Sequence, residues 1–390
     1  MYSKTPSLYI HIPFCFSKCT YCDFFSIPTG KKEIPDNYVE KLLQEIDYCR
    51  QKYDIQKFET VYFGGGTPSL LQEKQIHKLM ANINSYRNPD SEVTFELNCD
   101  DVCAEYLQIL SENGINRFSV GVQSLDDKIL KTINRRADKT QTKNAIETLA
   151  RFTKKNPNIK SSVDFITGLP YSSKRKVLND VKKVIDLGIN HISLYSLTLE
   201  ENTLLFRQVE KNELSYSDEN NENEWIAARN LLLKNGYEQY EISNFAKPGC
   251  KSAHNGRYWK GLDYVGCGCG AVSTIFSDDG KTALRYENQK NTKNYIECTN
   301  FESIRDSIEN LDEKTVLFEH MMTGFRTSEG INEIEFESRF GRKIEEFFPE
   351  SFYTLIKEGK LIKKEHSYKF SPDGMLFLNK SLVGLLNKID

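Results

Sequence analysis

The sequence predicts an α/β fold: a partial (β/α)6 barrel of the TIM type, followed by a small, mostly helical C-terminal module of winged-helix-like layout. Three observations predict it. Short apolar runs of strand length alternate six times with amphipathic helical stretches between residues 8 and 197, the pattern of βα repeats around a parallel sheet with right-handed crossovers. Two helix-to-strand junctions echo each other, Asn113-Gly114-Ile115-Asn116 and Leu187-Gly188-Ile189-Asn190, each with glycine where a left-handed cap ends a helix. No G-x-G-x-x-G fingerprint opens the first helix, which favours a barrel over a doubly wound sheet.

In chain order, residues 8–12 form the first strand, stopped by Pro13. Residues 36–51 read as an amphipathic helix with Tyr38, Leu42, Leu43 and Ile46 on one face. The strand at 58–63 runs into Gly64-Gly65-Gly66-Thr67-Pro68. Helix 72–86, strand 92–97 and helix 104–113 follow, then strand 117–122 and helical sequence to 152. Strand 162–166, helix 174–187 and strand 191–197 complete the repeats. Residues 212–223 are polar and acidic and read as a surface loop before a helix at 224–235. Residues 1–235 are assigned to the barrel, 236–305 to a connecting region and 306–390 to the C-terminal module, with helices at 313–323, 333–340 and 344–358, a hairpin at 361–370 and a last helix.

A chain of 390 residues with 39% hydrophobic and 27% charged residues is an ordinary globular protein, long enough for one large domain and a small one. A net charge of −3 gives no electrostatic footprint for nucleic acid. The C-terminal module has at least as many acidic as basic residues, so packing or partner docking is preferred there over DNA binding. No apolar run reaches membrane-spanning length and no signal peptide opens the chain, so the cytoplasm is the expected compartment. Ten cysteines fit a reducing compartment with one metal site better than a disulfide framework. Of these, Cys49, Cys99, Cys103 and Cys298 read as small apolar side chains.

Three other cysteines carry the chemistry. Cys15, Cys19 and Cys22 follow the first strand in a C-x3-C-x2-C pattern, near Lys18. Thiolates this close on one loop suit a soft metal. Three ligands are one short of a closed site, so a [4Fe–4S] cluster with one open iron, a zinc loop with a remote fourth ligand and chance all fit the spacing. The glycine run after the second strand suits close backbone approach to a ligand, or a plain turn. Glu96, Gln123, Ser124 and Asp164 each end an apolar strand and so point toward a barrel mouth. Arg135 and Arg136 are either a solvated pair or, through Arg135, a bidentate carboxylate contact.

HIPFC-x3-C-x-YCDF, GGGTPS, GVQS, DFITGLP and HISLYSL together resemble the coproporphyrinogen-oxidase-like branch of the radical-SAM superfamily, over about the first 275 residues. YEISNFAKPG followed by His254-Asn255-Gly256-Arg257-Tyr258-Trp259 resembles the haem chaperone HemW family within that branch. The resemblance implies that Cys15, Cys19 and Cys22 ligate a [4Fe–4S] cluster whose open iron takes S-adenosylmethionine (SAM). It implies SAM contacts from Tyr9, Tyr21, Asp23, Gly65, Gly66, Thr67, Glu96, Gln123, Arg135 and Asp164, with Thr198 and Val272 aligned to further ones. It implies haem contact by His254, with Tyr258 and Trp259 able to stack on the macrocycle. Expected partners are haem, haem-acceptor proteins and an electron donor such as a flavodoxin or ferredoxin; a homodimer is compatible, and nucleic acid is not expected.

Two function classes follow: a haem-binding chaperone, or an enzyme such as an oxygen-independent coproporphyrinogen III oxidase. Such oxidases resemble this chain but carry a fourth cysteine where it has Phe24, and a longer segment ahead of the cluster loop than the fourteen residues here. Both features favour the chaperone. The chain departs from the HemW pattern at Cys99, Ala137 and Tyr171-Ser172, and in a C-x-C pair, Gly266-Cys267-Gly268-Cys269-Gly270. That pair is either a metal or haem site or, as preferred here, two small residues filling space.

Overall fold

The computed structural model describes residues 5–30, 33–347 and 349–386. Six strands, β1 (Ser7–Ile12), β2 (Phe58–Gly65), β3 (Arg87–Asn98), β4 (Arg117–Gln123), β5 (Lys160–Thr167) and β6 (His191–Ser196), lie side by side in chain order and all parallel. Helices α1 (Asp36–Lys52), α2 (Glu73–Ile83), α3 (Ala104–Glu112), α4 (Lys139–Lys155) and α5 (Lys174–Asp186) make the crossovers, and α6 (Asp218–Lys234) follows the sixth strand. Parallel neighbours need such crossovers, because a tight turn cannot return the chain to the same end of the sheet.

The sheet extends past both sides of the six. Antiparallel β7 (Asn244–Ala246) pairs with β6. On the other side β8 (Tyr264–Cys267) pairs parallel with β1, so the first strand lies between β2 and a strand from more than 250 residues later. Antiparallel β9 (Val272–Phe276), β10 (Ala283–Asn288) and β11 (Arg305–Leu311) continue the sheet outward. The edge strand β11 is mostly exposed, so its alternation is faint in the sequence.

Side-chain alternation explains the two-faced sheet. Leu8, Ile10 and Ile12 are fully buried in one core with Val61, Phe63, Val93, Phe95 and Val120. Burying each such side chain contributes about 1.5–3 kcal/mol. The alternate residues of the same strands are polar or aromatic (Tyr9, Tyr62, Glu96, Ser119, Asp164) and fall on the opposite, concave face. The helix-to-strand echo has a structural counterpart. Gly114 and Gly188 are left-handed, with φ of +90° and +80°. Ile115 and Ile189 are buried, and Asn116 and Asn190 each accept a backbone amide of the preceding strand, from Val93 at 2.8 Å and Ser161 at 3.1 Å.

One expectation is corrected. Residues 218–223 are not loop but the first turns of α6, capped by Ser217. Their polarity serves the end of β5: Asn221 takes the Thr167 hydroxyl at 2.7 Å, and Glu224 takes the Gly168 amide at 2.8 Å. In the stretch predicted as a helix at 344–358, residues Ile344–Phe347 and Pro349–Lys357 are helical.

The C-terminal module consists of α7 (Glu313–Gly324), α8 (Glu333–Phe340), the helical residues just named, the hairpin β12 (Leu361–Lys364) with β13 (Ser367–Phe370), and a last helix, Leu378–Leu386. Strand β13 also pairs with Ile331–Asn332. A separate core of Val316, Leu317, Met321, Phe325, Phe336, Phe352 and Phe370 holds it together. Among the described residues no helix is long and apolar enough to cross a membrane.

Candidate functional site

The three cysteines lie on the loop leaving β1 at the end of the sheet where barrel chemistry collects. A two-residue parallel ladder, Phe14–Cys15 against Ile27–Pro28, closes the loop at its neck. The loop is then pinned from outside: the Thr20 amide donates to Ile133 O at 3.1 Å, the Leu205 amide to Thr20 O at 2.8 Å and Asn134 Nδ2 to Lys18 O at 2.8 Å.

The loop opens on a cavity of about 570 Å3, within the ~300–1,000 Å3 typical of small-ligand sites. Its walls bring together Cys15, Cys19, Cys22, Tyr21, Asp23, Gly65, Gly66, Thr67, Glu96, Gln123, Arg135, Asp164 and Thr198. Ser119 and Tyr195 also line it; the sequence reading passed over both. Tyr9 and Val272 are not among the lining residues. The Tyr9 ring stacks on Tyr62 at 6.1 Å and its hydroxyl is 3.1 Å from His11 Nδ1. Val272 lies in β9, with its carbonyl against Gly266.

Two glycines are required. Gly65 has φ +106°, and a Cβ there would lie 2.6 Å from the His11 ring; at Gly66 it would lie 2.8 Å from the carbonyl oxygens of Ile12 and Phe14. The run thus brings backbone against the cysteine loop with no side chain between.

Burial raises the thiols of Cys15 and Cys22, the latter to about 11. Thr67 Oγ1 donates to Cys15 Sγ at 3.4 Å and Arg135 Nη1 to Cys19 Sγ at 3.8 Å. Arg135 also donates to Gly121 O. Burial likewise lifts Glu96 to about 7 and Asp164 to about 6. Glu96 accepts the Tyr62 hydroxyl at 2.6 Å, and Asp164 accepts the Ser119 hydroxyl at 3.2 Å. Arg136, by contrast, is held by Asp100 at 2.9 Å and Asp101 at 3.0 Å.

Gln123 stands at a break in the β4–β5 register, with φ +63°, an uncommon conformation for a residue with a side chain. Its Oε1 is buried without a hydrogen-bond partner, which costs about 1–3 kcal/mol unless a ligand supplies a donor. Three closely spaced thiols, two buried carboxyls of raised pKa, an orphan acceptor and a bare glycine edge fit an iron–sulfur cluster beside a polar, amine- and hydroxyl-bearing ligand.

The opposite end of the strands is built differently. A short helix, Ala253–Trp259, lies across it. Glu92 of β3 accepts Ser252 Oγ at 3.1 Å and the amides of Ala253 and His254 at 3.1 and 2.9 Å, so a strand carboxylate caps this helix. Beside Glu92, buried Arg117 donates from both terminal nitrogens to Cys250 O at 3.1 Å. His254 is 1% exposed. Its Nδ1 is 2.8 Å from Thr60 Oγ1 and its Nε2 2.9 Å from the Tyr258 hydroxyl, and burial lowers it to about 3. Both ring nitrogens of His254 are thus engaged by hydroxyls, and the ring packs against Tyr62 and Tyr258.

Cys267 and Cys269 are fully buried. Cys269 donates to Gln289 O at 3.0 Å. Cys267 lies with Cys49 and Glu45, their ligand atoms within 4.8 Å of one another. Glu45 is already saturated by the Gly268 amide, Asn288 and Tyr295 at 2.6–2.7 Å. The group is a closed polar knot in the core.

Comparison with known proteins matches residues 9–194 to the radical SAM superfamily model and residues 311–377 to the HemN C-terminal domain. The chain is 33% identical over 361 residues to "Heme chaperone HemW" of Lactococcus lactis subsp. lactis, covering 92% of this chain and 91% of that one. It is 34% identical over 380 residues to the protein of the same name from Escherichia coli, covering 96% and 97%. Among solved structures it is similar in fold to coproporphyrinogen III oxidase (HemN) from Escherichia coli, a radical SAM enzyme, with a TM-score of 0.82, 22% identity and coverage of 98% and 90%.

Proposed function

We propose that this chain, which belongs to the radical SAM superfamily and within it to the haem chaperone HemW family, binds haem and passes it to acceptor proteins. The radical SAM domain implies a [4Fe–4S] cluster and SAM. The observation that carries the reading is identity of about one third to haem chaperones over more than nine-tenths of both chains.

In this reading Cys15, Cys19 and Cys22 hold the cluster, and the cavity beside them takes SAM. When bound, the pair supplies a one-electron donor and a sulfonium that the electron can cleave. The chain's own part is positioning. Gly65 and Gly66 present backbone, Gln123 Oε1 accepts, Arg135 balances thiolate charge at Cys19, and Glu96 and Asp164 hold or release a proton according to the ligand's charge. Tyr21, Asp23, Thr67 and Thr198 complete the wall. An electron donor such as a flavodoxin or ferredoxin, haem-acceptor partners, a cytoplasmic location and the compatibility with a homodimer belong to the same proposal.

Phe24, 71% exposed at the cavity rim, replaces the fourth cysteine of the decarboxylating relatives and argues against that chemistry. The test combines ferric haem titration of the anaerobically reconstituted protein with a product assay on coproporphyrinogen III, SAM and a strong reductant, a known decarboxylase run alongside. Haem binding followed by transfer to an apo-acceptor, with no divinyl product, is the expected result. Divinyl product, or no haem binding, would overturn it.

A further inference from the structure

We infer that an acidic one-electron carrier protein docks on a basic wall beside the cysteine loop, formed by Lys18, the short helix Asp127–Thr132 and the first turns of α4 and α5. The inference rests on the proposed function, which calls for an electron donor, and gives that donor a surface. The net charge of −3 hides the wall. Residues 126–186 hold fifteen lysines and arginines against seven aspartates and glutamates, so the rest of the chain carries the acidic excess. Two of each sign, Arg135, Arg136, Asp164 and Asp180, serve the site or the interior. The outer side of this stretch therefore keeps an excess of eight cations.

Hydrogen bonds and an ion pair make the wall continuous with the loop. Asn134 Nδ2 donates to Lys18 O at 2.8 Å, and Thr20 Oγ1 to Thr132 O at 3.4 Å. Asp127 accepts the Lys139 amide at 2.8 Å, which joins the short helix to α4. Asp126 pairs with Lys176 at 3.0 Å, which joins it to α5. The third carboxylate here, Asp138, is spent on the Gln141 amide at 2.8 Å, while Asp23 and Glu200 belong to the cavity. Six cations stand exposed on this surface, Lys18, Lys128, Lys131, Lys139, Lys174 and Arg175. None of them makes an ion pair among the described residues.

Their placement runs against local helix stability. Helices α1, α2, α3 and α6 each carry a carboxylate in the first turn, where the helix dipole is positive, and α4 and α5 carry none. Lys139, Lys174 and Arg175 stand there instead. Cations added to the positive ends of two successive crossover helices raise the local potential, which steers an acidic surface toward the loop. Apolar area lies among them. Tyr171 is 43% exposed with Lys128 Nζ 3.5 Å from its ring centroid, and Leu204 is 55% exposed beside Leu205, whose amide bonds Thr20 O. Electron-transfer contacts are among the smallest interfaces, so a ring of charge with a small apolar centre suits one. The step moves one electron and no proton: the carrier's reduced [2Fe–2S] centre is oxidised, and the cluster assigned to Cys15, Cys19 and Cys22 is reduced by that electron.

The experiment mixes the whole chain, carrying its cluster, with a reduced acidic [2Fe–2S] ferredoxin and follows cluster bleaching by stopped flow. The wild-type rate is expected to fall as salt rises. A variant with Lys128→Glu, Lys131→Glu, Lys174→Glu and Arg175→Glu is expected to be slower by about tenfold or more at low salt. Its reduction by a small uncharged donor, photoreduced deazaflavin, should match the wild type, as should its melting temperature and haem titration. Calorimetry of the oxidised ferredoxin with the cluster-free chains reads docking without electron transfer, and the variant should bind about tenfold more weakly or worse. Equal ferredoxin rates and affinities for the two chains would overturn the inference and leave the proposed function standing. Sedimentation of the wild type alone with phosphatidylglycerol vesicles, with ferredoxin rates unchanged, would overturn it in favour of a membrane surface. A wild type that incorporates no iron would remove the cluster assignment and the inference together.

Discussion

The two ends of the same six strands treat polar side chains in opposite ways. At the cysteine-bearing end the polar groups are left incomplete: Gln123 Oε1 has no partner, burial raises the carboxyls of Glu96 and Asp164 to about 7 and about 6, and the thiols of Cys15 and Cys22 are pushed up. At the other end Glu92, Arg117, His191 and His254 close a hydrogen-bonded floor. Unsatisfied polarity marks the end built to receive something, and satisfied polarity the end built to hold the barrel's shape.

Substitutions should break this contrast in a definite order. Replacing Cys15, Cys19 and Cys22 together by alanine is expected to abolish iron incorporation after anaerobic reconstitution. Denaturant stability of the apo protein should change little, since the loop lies outside the main cluster of aliphatic and aromatic packing. Retained iron at the wild-type level would sink the cluster assignment. At the floor, Arg117→Met is expected to cost about 3–5 kcal/mol in urea unfolding, the penalty for leaving Glu92 without its buried partner. A change under 1 kcal/mol would show that the floor is not held by that pair. His254→Ala is expected to cost about 2–4 kcal/mol through a lost ring and the loss of its hydrogen bonds to Thr60 and Tyr258, with the Soret spectrum of bound haem unchanged. A lost axial-ligand signature with unaltered stability would restore His254 as a ligand.

The smallest effect is in pH. Glu96 has a folded-state value of about 7 against an ordinary 4.5. The folded chain keeps that proton between about pH 4.5 and 7 while the unfolded chain has released it. Its contribution to apo stability is therefore present below pH 4.5 and lost as pH rises through 7. Glu96→Gln should flatten the decline by up to about 1.4 kcal/mol per pH unit. An unchanged pH profile of the variant would count against a buried, protonated Glu96.

Much of the barrel was legible because apolar periodicity and glycine caps are local signals. The strand at 8–12 and the helix at 36–51 needed nothing beyond their own residues, and the structure begins α1 at the same residue and ends it one later. The cysteine loop was legible for the same reason: its three thiols are neighbours in sequence. Residues 218–223 were not, because Asn221 among them spends its polarity on Thr167, some fifty residues earlier. The surroundings of His254 were not legible, because one of the two hydroxyls on its ring comes from Thr60, and only the fold brings Thr60 to it. Arg136 looked solvated until Asp100 and Asp101 were seen to hold it. Local patterns report where chemistry begins; long-range partners decide which candidates are already spoken for.

The pairing of β1 with β8 also sets an order of events during synthesis. The ribosome releases Cys22 long before Tyr264, the residue that pairs with Ser7. At ordinary elongation rates the interval is on the order of tens of seconds. Throughout it the strand that carries the cysteine loop has one exposed edge. Any machinery that loads iron and sulfide during translation meets a loop on a half-bordered strand, and machinery that acts after release meets one fixed on both sides. The late arrival of β8 therefore separates two states of the cysteine loop, before and after β1 is bordered on both sides.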